Sequence, residues 1–224
     1  MKSYKFPLLV AALAACGISV NARDMEQQLI DAGMVDVGRM DTTIRVSLMY
    51  ARDDNFTGVK LYENLERAYL HPSAAEALLK SSAELRKLHP GYYLLVKDAS
   101  RPMSVQRKMY NVVQGTPKAP YVSNPRNGGG LHNYGLAVDI TIVDENGNEL
   151  PMGTEVDHLG PEANIDKEEY LVKNGVISET ERQNRLLLRR VMRAGGFIPL
   201  KSEWWHFNLV SRATAKAKYK RLDF

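Results

Sequence analysis

Leu136-Ala-Val-Asp-Ile-Thr-Ile-Val143 constrains this chain more than any other stretch. It reads as a strand, with Leu136, Val138, Ile140 and Ile142 on one face and Ala137, Asp139 and Thr141 on the other. A carboxylate in the middle of so apolar a strand is costly unless it has a partner. Gly128-Gly-Gly-Leu-His132 stands just before the strand, and Glu203-Trp-Trp-His206 lies some sixty residues beyond it.

Two histidines and two carboxylates in these stretches make the parts list of a mononuclear zinc hydrolase. A catalytic zinc takes about three N or O protein ligands and keeps another position for water. The set expected here is His132, Asp139 and His206, with Glu203 free to move protons. On one straight strand, residues seven apart face opposite ways, so His132 and Asp139 need a bend to meet. Gly135 permits it. Glu203 and His206 also fall on opposite faces of a regular strand, so a kink at the strand's start would stand Glu203 beside the metal. The alternative is plain structure: a histidine packed beside tryptophan, and an aspartate serving as a cap or turn residue. His71 and His89 each precede proline and read as surface loop residues, and His158 as a weak outer-shell candidate.

The first 22 residues read as a leader outside the fold. Lys2 and Lys5 form a basic start, Phe6 to Ala15 an apolar run too short to span a membrane, and Val20-Asn-Ala22 a cleavage site. Leu13-Ala-Ala-Cys16 resembles a lipobox, so a lipid anchor at Cys16 is the alternative to free secretion. Either route takes the protein out of the cytoplasm, to the periplasm or cell envelope. Losing Lys2 and Lys5 lowers the formal charge from +4 to +2, too little to make nucleic acid or an anionic membrane the main partner. Cys16 is the single cysteine, so the secreted chain has no internal disulfide.

Residues 23–224 are long enough for one domain with its own core. Helices are expected from Asp24 to Ala32, from the capping pattern Ser73-Ala-Ala-Glu76 to Leu88, from Arg101-Pro102 to Val113, and from the capping box Ser178-Glu-Thr-Glu181 to Gly195. Strands are expected at Ile44–Tyr50, Tyr92–Val96, Leu136–Val143 and Trp204–Val210, with a long loop from Pro117 to Gly130. Arg182, Arg185, Arg189, Arg190 and Arg193 on the last helix, and Lys216, Lys218, Lys220 and Arg221 in the tail, read as solvated faces. The order favours an α+β fold, a compact single domain whose central antiparallel sheet carries the metal site between flanking helices.

His132-x-x-Gly-x-Ala-x-Asp139 with Glu203-x-Trp-His206 resembles the zinc D,D-peptidases that act on peptidoglycan stems. Tyr50-Ala-Arg-Asp-Asp-Asn-Phe-Thr-Gly58, Asp98-Ala-Ser-Arg-Pro102, Pro151 to Asp157, Gln183-Asn-Arg185, Gly196-Phe197 and Asp223-Phe224 resemble one branch in order, the VanX-type D-alanyl-D-alanine dipeptidases. The resemblance covers about Val35 to the C-terminus. It implies one zinc per chain on His132, Asp139 and His206, Glu203 as catalytic acid and base, and Arg101 as the cation that stabilises the transition state. It further implies that Asp157 binds the substrate's amino group and that Tyr50 lines the pocket. Without the resemblance, Arg101 reads as a surface cation at a helix start and Asp157 as a loop acid. Gly130 stands where the family usually has serine, so one substrate hydrogen bond is expected to be missing. Ser100 replaces a usual tyrosine and Val156 a common phenylalanine.

Three activities fit: hydrolysis of D-Ala-D-Ala or a related small dipeptide, D,D-carboxypeptidase or endopeptidase action on stem peptides, and zinc-dependent binding without catalysis. A requirement for the substrate's free ammonium favours the first.

Overall fold

A computed structural model describes residues 24–224. The leader and Cys16 lie outside the described residues. The elements run α1 (Met25–Asp31), β1 (Val35–Asp36), α2 (Val37–Met40), β2 (Arg45–Val46), β3 (Tyr69–Leu70), α3 (Pro72–Leu88), β4 (Tyr93–Asp98), α4 (Met103–Val113), β5 (Ala137–Val143), α5 (Glu168–Lys173), α6 (Glu179–Ala194), β6 (Ile198–Leu200), β7 (Glu203–Asn208) and α7 (Arg212–Lys218). Five strands form the main sheet in the order β2-β4-β5-β7-β6. All its pairings are antiparallel except β2 with β4 at the edge. β1 and β3 pair separately. This is the expected α+β architecture.

β5 is the middle strand, and all seven of its residues are buried. Its alternation therefore separates two covered faces, one purely apolar and one carrying Asp139. α3 and α6 pack on each other and on β4 and β6 respectively. α6 opens with the expected capping box: Ser178 Oγ accepts from the Glu181 amide, and the Glu181 carboxylate accepts from the Ser178 amide.

The structure corrects four local expectations. The strand over Ile44–Tyr50 shortens to Arg45–Val46. The Ser47 amide still bonds the Val96 carbonyl, and then a 3-10 turn at Met49–Ala51 swings Tyr50 under the sheet, where its carbonyl accepts from the Leu61 and Tyr62 amides. α3 starts one turn position early: Pro72 is its first residue and His71, not Ser73, caps it, accepting from the Ser73 amide. His71 also meets the edge of Tyr219, so it is no free loop residue.

α6 does not present all its arginines to water. Arg185 and Arg189 are buried. Arg189 grips Glu168 through two nitrogens, at 2.8 and 2.5 Å. Arg185 donates to the Met152 carbonyl at 2.6 Å and the Glu162 carbonyl at 3.1 Å, and its guanidinium lies 5.7 Å from the Trp204 ring centroid. Asn184 adds a bond to the Pro151 carbonyl, and Trp204 Nε1 one to Thr154 Oγ1, both 2.8 Å. These bonds fix the excursion between β5 and α5, the segment that carries Asp157. Arginine suits this task because its fork can satisfy several buried oxygens at once.

Candidate metal and catalytic centre

β5 and β7 place Asp139 opposite His206 in the ladder, which sets their side chains side by side. His132 comes from a 3-10 turn, Leu131–Tyr134, that ends on Gly135 at φ +66°. A side chain at Gly135 would run into the His71 backbone nitrogen, 2.8 Å from its first carbon, so glycine answers here to both conformation and space. The bend works as the sequence suggests: His132 Nε2 lies 3.3 Å from Asp139 Oδ2. Asn133 holds the turn in place, accepting from the Gly130 amide at 2.8 Å and donating to the Arg101 carbonyl at 2.7 Å.

His206 Nδ1 lies 2.9 Å from Asp139 Oδ1 and 3.2 Å from His132 Nε2. One ligand atom from each of the three residues falls within 4.8 Å of the others. The outer ring nitrogens have partners of their own. His132 Nδ1 faces the Ala99 carbonyl at 2.6 Å, and His206 Nε2 faces Asn208 Oδ1 at 2.9 Å. Both partners are acceptors, so those nitrogens carry the protons of neutral rings. The lone pairs of His132 Nε2 and His206 Nδ1 then converge on one point beside a carboxylate. Two lone pairs 3.2 Å apart repel unless a cation lies between them, so this donor set fits zinc. Burial opposes ionisation of Asp139, yet without a metal the charge and inward hydrogen bonds of the two rings in their protonated form hold its carboxyl well below the usual range.

Glu203 is not among the converging donors. Its carboxylate stands 3.9 Å from His206 Nδ1 at the start of β7, where the register with β6 shifts and supplies the expected kink. Burial chiefly, helped by the charge of Asp139 and opposed by His206, raises its pKa to about 7. A carboxyl poised there can accept and return a proton near neutrality.

Arg101 is buried, which corrects its reading as a surface cation. Its Nε and Nη2 both donate to Asp98 Oδ2, at 3.0 and 2.6 Å, and its Nη1 donates to Gln106 Oε1 at 3.1 Å. Nη2 also lies 3.6 Å from Asp139 Oδ2, and the guanidinium lies 5.2 Å from the Tyr50 ring centroid. Asp157 has φ +71°, a left-handed conformation that aspartate tolerates better than most residues. The Tyr50 hydroxyl donates to its Oδ2 at 2.6 Å. Burial, then the charge of Asp157, pushes the Tyr50 hydroxyl well above its ordinary pKa, so it remains a donor. Tyr50, Arg101, Asp157, Glu203 and the three converging residues line one cavity of about 530 Å³.

His158 does not join them. It is exposed and pairs with Glu162 at 2.8 Å. Sequence reasoning missed Asp98, fully buried, which orients Arg101 and also accepts from the Tyr62 hydroxyl at 2.7 Å. The one available signal was a carboxylate three residues before Arg101.

Burial raises Asp157 to about 7, against the Tyr50 hydrogen bond that favours its charged form. Between about pH 4, where exposed carboxyls ionise, and about 7, the folded metal-free protein therefore holds protons that the unfolded chain has released. Stability must fall as pH rises through that window. Asp139, shifted the other way, acts below it. Melting temperature of chelator-treated protein is expected to drop from about pH 5 to about pH 8, and Asp157→Asn to flatten part of the drop; a flat profile in the parent protein would contradict the burial of these two carboxyls.

The peptidase M15 family model, described as D-ala-D-ala dipeptidase, matches residues 30–222. The D-alanyl-D-alanine dipeptidase of Escherichia coli (strain K12) is 34% identical over 181 residues, covering 81% of this chain and 86% of that protein. That of Enterococcus faecium is 33% identical over 187 residues, covering 74% and 86%. That of Enterococcus faecalis (strain ATCC 700802 / V583) is 26% identical over 200 residues, covering 81% and 93%. With nearly all of the described fold matched and the converging histidines and carboxylates in place, the chain belongs to the D-Ala-D-Ala dipeptidase family of M15 peptidases.

Proposed function

We propose that the protein is an exported zinc dipeptidase that hydrolyses D-Ala-D-Ala, or a closely related D-containing dipeptide, to free amino acids. One observation carries the reading: the lone pairs of His132 and His206 converge with Asp139 on one point, and a protonatable Glu203 stands beside them without joining the set. Zinc held there supplies a Lewis acid and makes water a nucleophile at neutral pH. Glu203 takes the proton of the attacking water and gives it to the leaving amine. Arg101, fixed by Asp98 and Gln106, offers its charge to the oxygen of the scissile carbonyl as negative charge develops there. Asp157, with Tyr50 bonded to it, is the counter-charge for the substrate's ammonium group, and a demand for that group at this distance from the reacting bond excludes longer chains. Export rests on the basic start, short apolar run and cleavage site of residues 1–22.

The test is D-alanine release from D-Ala-D-Ala by residues 23–224 with and without chelator, beside a zinc determination. One zinc per chain and release that stops with chelator are expected. Release of terminal D-alanine from a stem pentapeptide, with the dipeptide untouched, would move the reading to a carboxypeptidase. Protein that binds no zinc would overturn the ligand set.

A further inference from the structure

The resemblance to the dipeptidases leads one to expect a serine where Gly130 stands beside the cavity, and the structure gives a reason for glycine. Its backbone is extended, with φ −110° and ψ −171°, a conformation open to any residue. Conformation therefore does not require glycine here. Space does: a first side-chain carbon on Gly130 would lie 2.7 Å from Ser123 Oγ and 3.2 Å from Ser123 Cβ. The place where a serine at 130 would project is already filled by a serine from seven residues earlier in the same loop.

Ser123 lines the same cavity as Arg101, His132 and Glu203. Its carbonyl accepts from Gln106 Nε2 at 2.8 Å, and Gln106 Oε1 accepts from Arg101 Nη1 at 3.1 Å, so the loop is tied to the Arg101 network. Among the described residues its hydroxyl has no hydrogen-bond partner. A partly buried hydroxyl without a partner at a cavity wall is a donor in waiting. The dipeptide's ammonium needs a charged acceptor, which Asp157 is. Its terminal carboxylate needs donors, which a hydroxyl supplies.

We infer that Ser123 Oγ provides the substrate hydrogen bond that Gly130 lacks, donating to the carboxylate end of the dipeptide. The inference rests on the dipeptidase reading.

Ser123→Ala, Gly130→Ser and the double variant test it. Ser123→Ala is expected to raise KM for D-Ala-D-Ala about tenfold or more, the worth of one hydrogen bond to a charged group, with kcat changed little and the melting temperature kept. Gly130→Ser alone is expected to impair the enzyme, because two side chains contend for one space. The double variant is expected to recover to within a few-fold of the parent, since a hydroxyl returns to the same space from position 130. An unchanged KM in Ser123→Ala, or losses that simply add in the double variant, would overturn the inference alone. No turnover by the parent protein would overturn the dipeptidase reading and the inference with it.

Discussion

Glu203→Gln is expected to lower kcat on D-Ala-D-Ala by about a hundred- to ten-thousandfold, the range that a positioned acid-base group contributes. The substitution keeps the shape of the side chain and removes its capacity to move a proton. Because Glu203 stands outside the three converging donors, zinc content should stay at one per chain. KM should change little, since the carboxylate is offered to water and to the leaving amine and not to the bound ground state. His206→Ala is the contrasting variant, in which zinc and activity should be lost together. A Glu203→Gln protein that loses its zinc would mean that Glu203 is a ligand. One that keeps its turnover would assign the proton transfer elsewhere.

The converging residues were legible in the sequence because each carries a mark that periodicity alone cannot explain. Asp139 interrupts an apolar strand, Gly135 breaks the chain where a bend is needed, and Glu203 and His206 flank a tryptophan pair too apolar for a loop. The sheet around them was legible for the same reason, since β4, β5 and β7 are dense runs of apolar residues. What remained hidden depends on contacts between distant segments. The alternation at Ile44–Tyr50 reads as strand, but the carbonyl of Tyr50 is claimed by Leu61 and Tyr62, and the tertiary contact wins over the local pattern. Arg185 and Arg189 look like any charged helix face until the oxygens of Met152, Glu162 and Glu168 arrive over them. The partner of His132 Nδ1 is the carbonyl of Ala99, and no residue type announces a backbone carbonyl. Ser123 is hidden for a related reason: its place against Gly130 exists only once the loop between α4 and β5 folds back on itself.

Arg101→Ala is expected to cost both catalysis and stability, and the two losses can be separated. Asp98 is fully buried, and Arg101 gives it two of its hydrogen bonds while Tyr62 gives one. Removing the guanidinium leaves a buried carboxylate without its counter-charge, which costs about 3–5 kcal/mol. For a domain of this size the melting temperature should fall by about 6–20 °C. The catalytic loss should be about a hundred- to a thousandfold in kcat, as for removal of one group aimed at a developing oxyanion. Arg101→Lys should recover little of either, because a single ammonium cannot reach Asp98 and Gln106 together as the fork does. Asp98→Asn placed in the Arg101→Ala background removes the stranded charge, so it should restore much of the melting temperature while turnover stays low. If the double variant regained turnover as well, Arg101 would be holding the site in shape and not acting on the substrate. If it regained neither, the charge on Asp98 would not be the source of the instability.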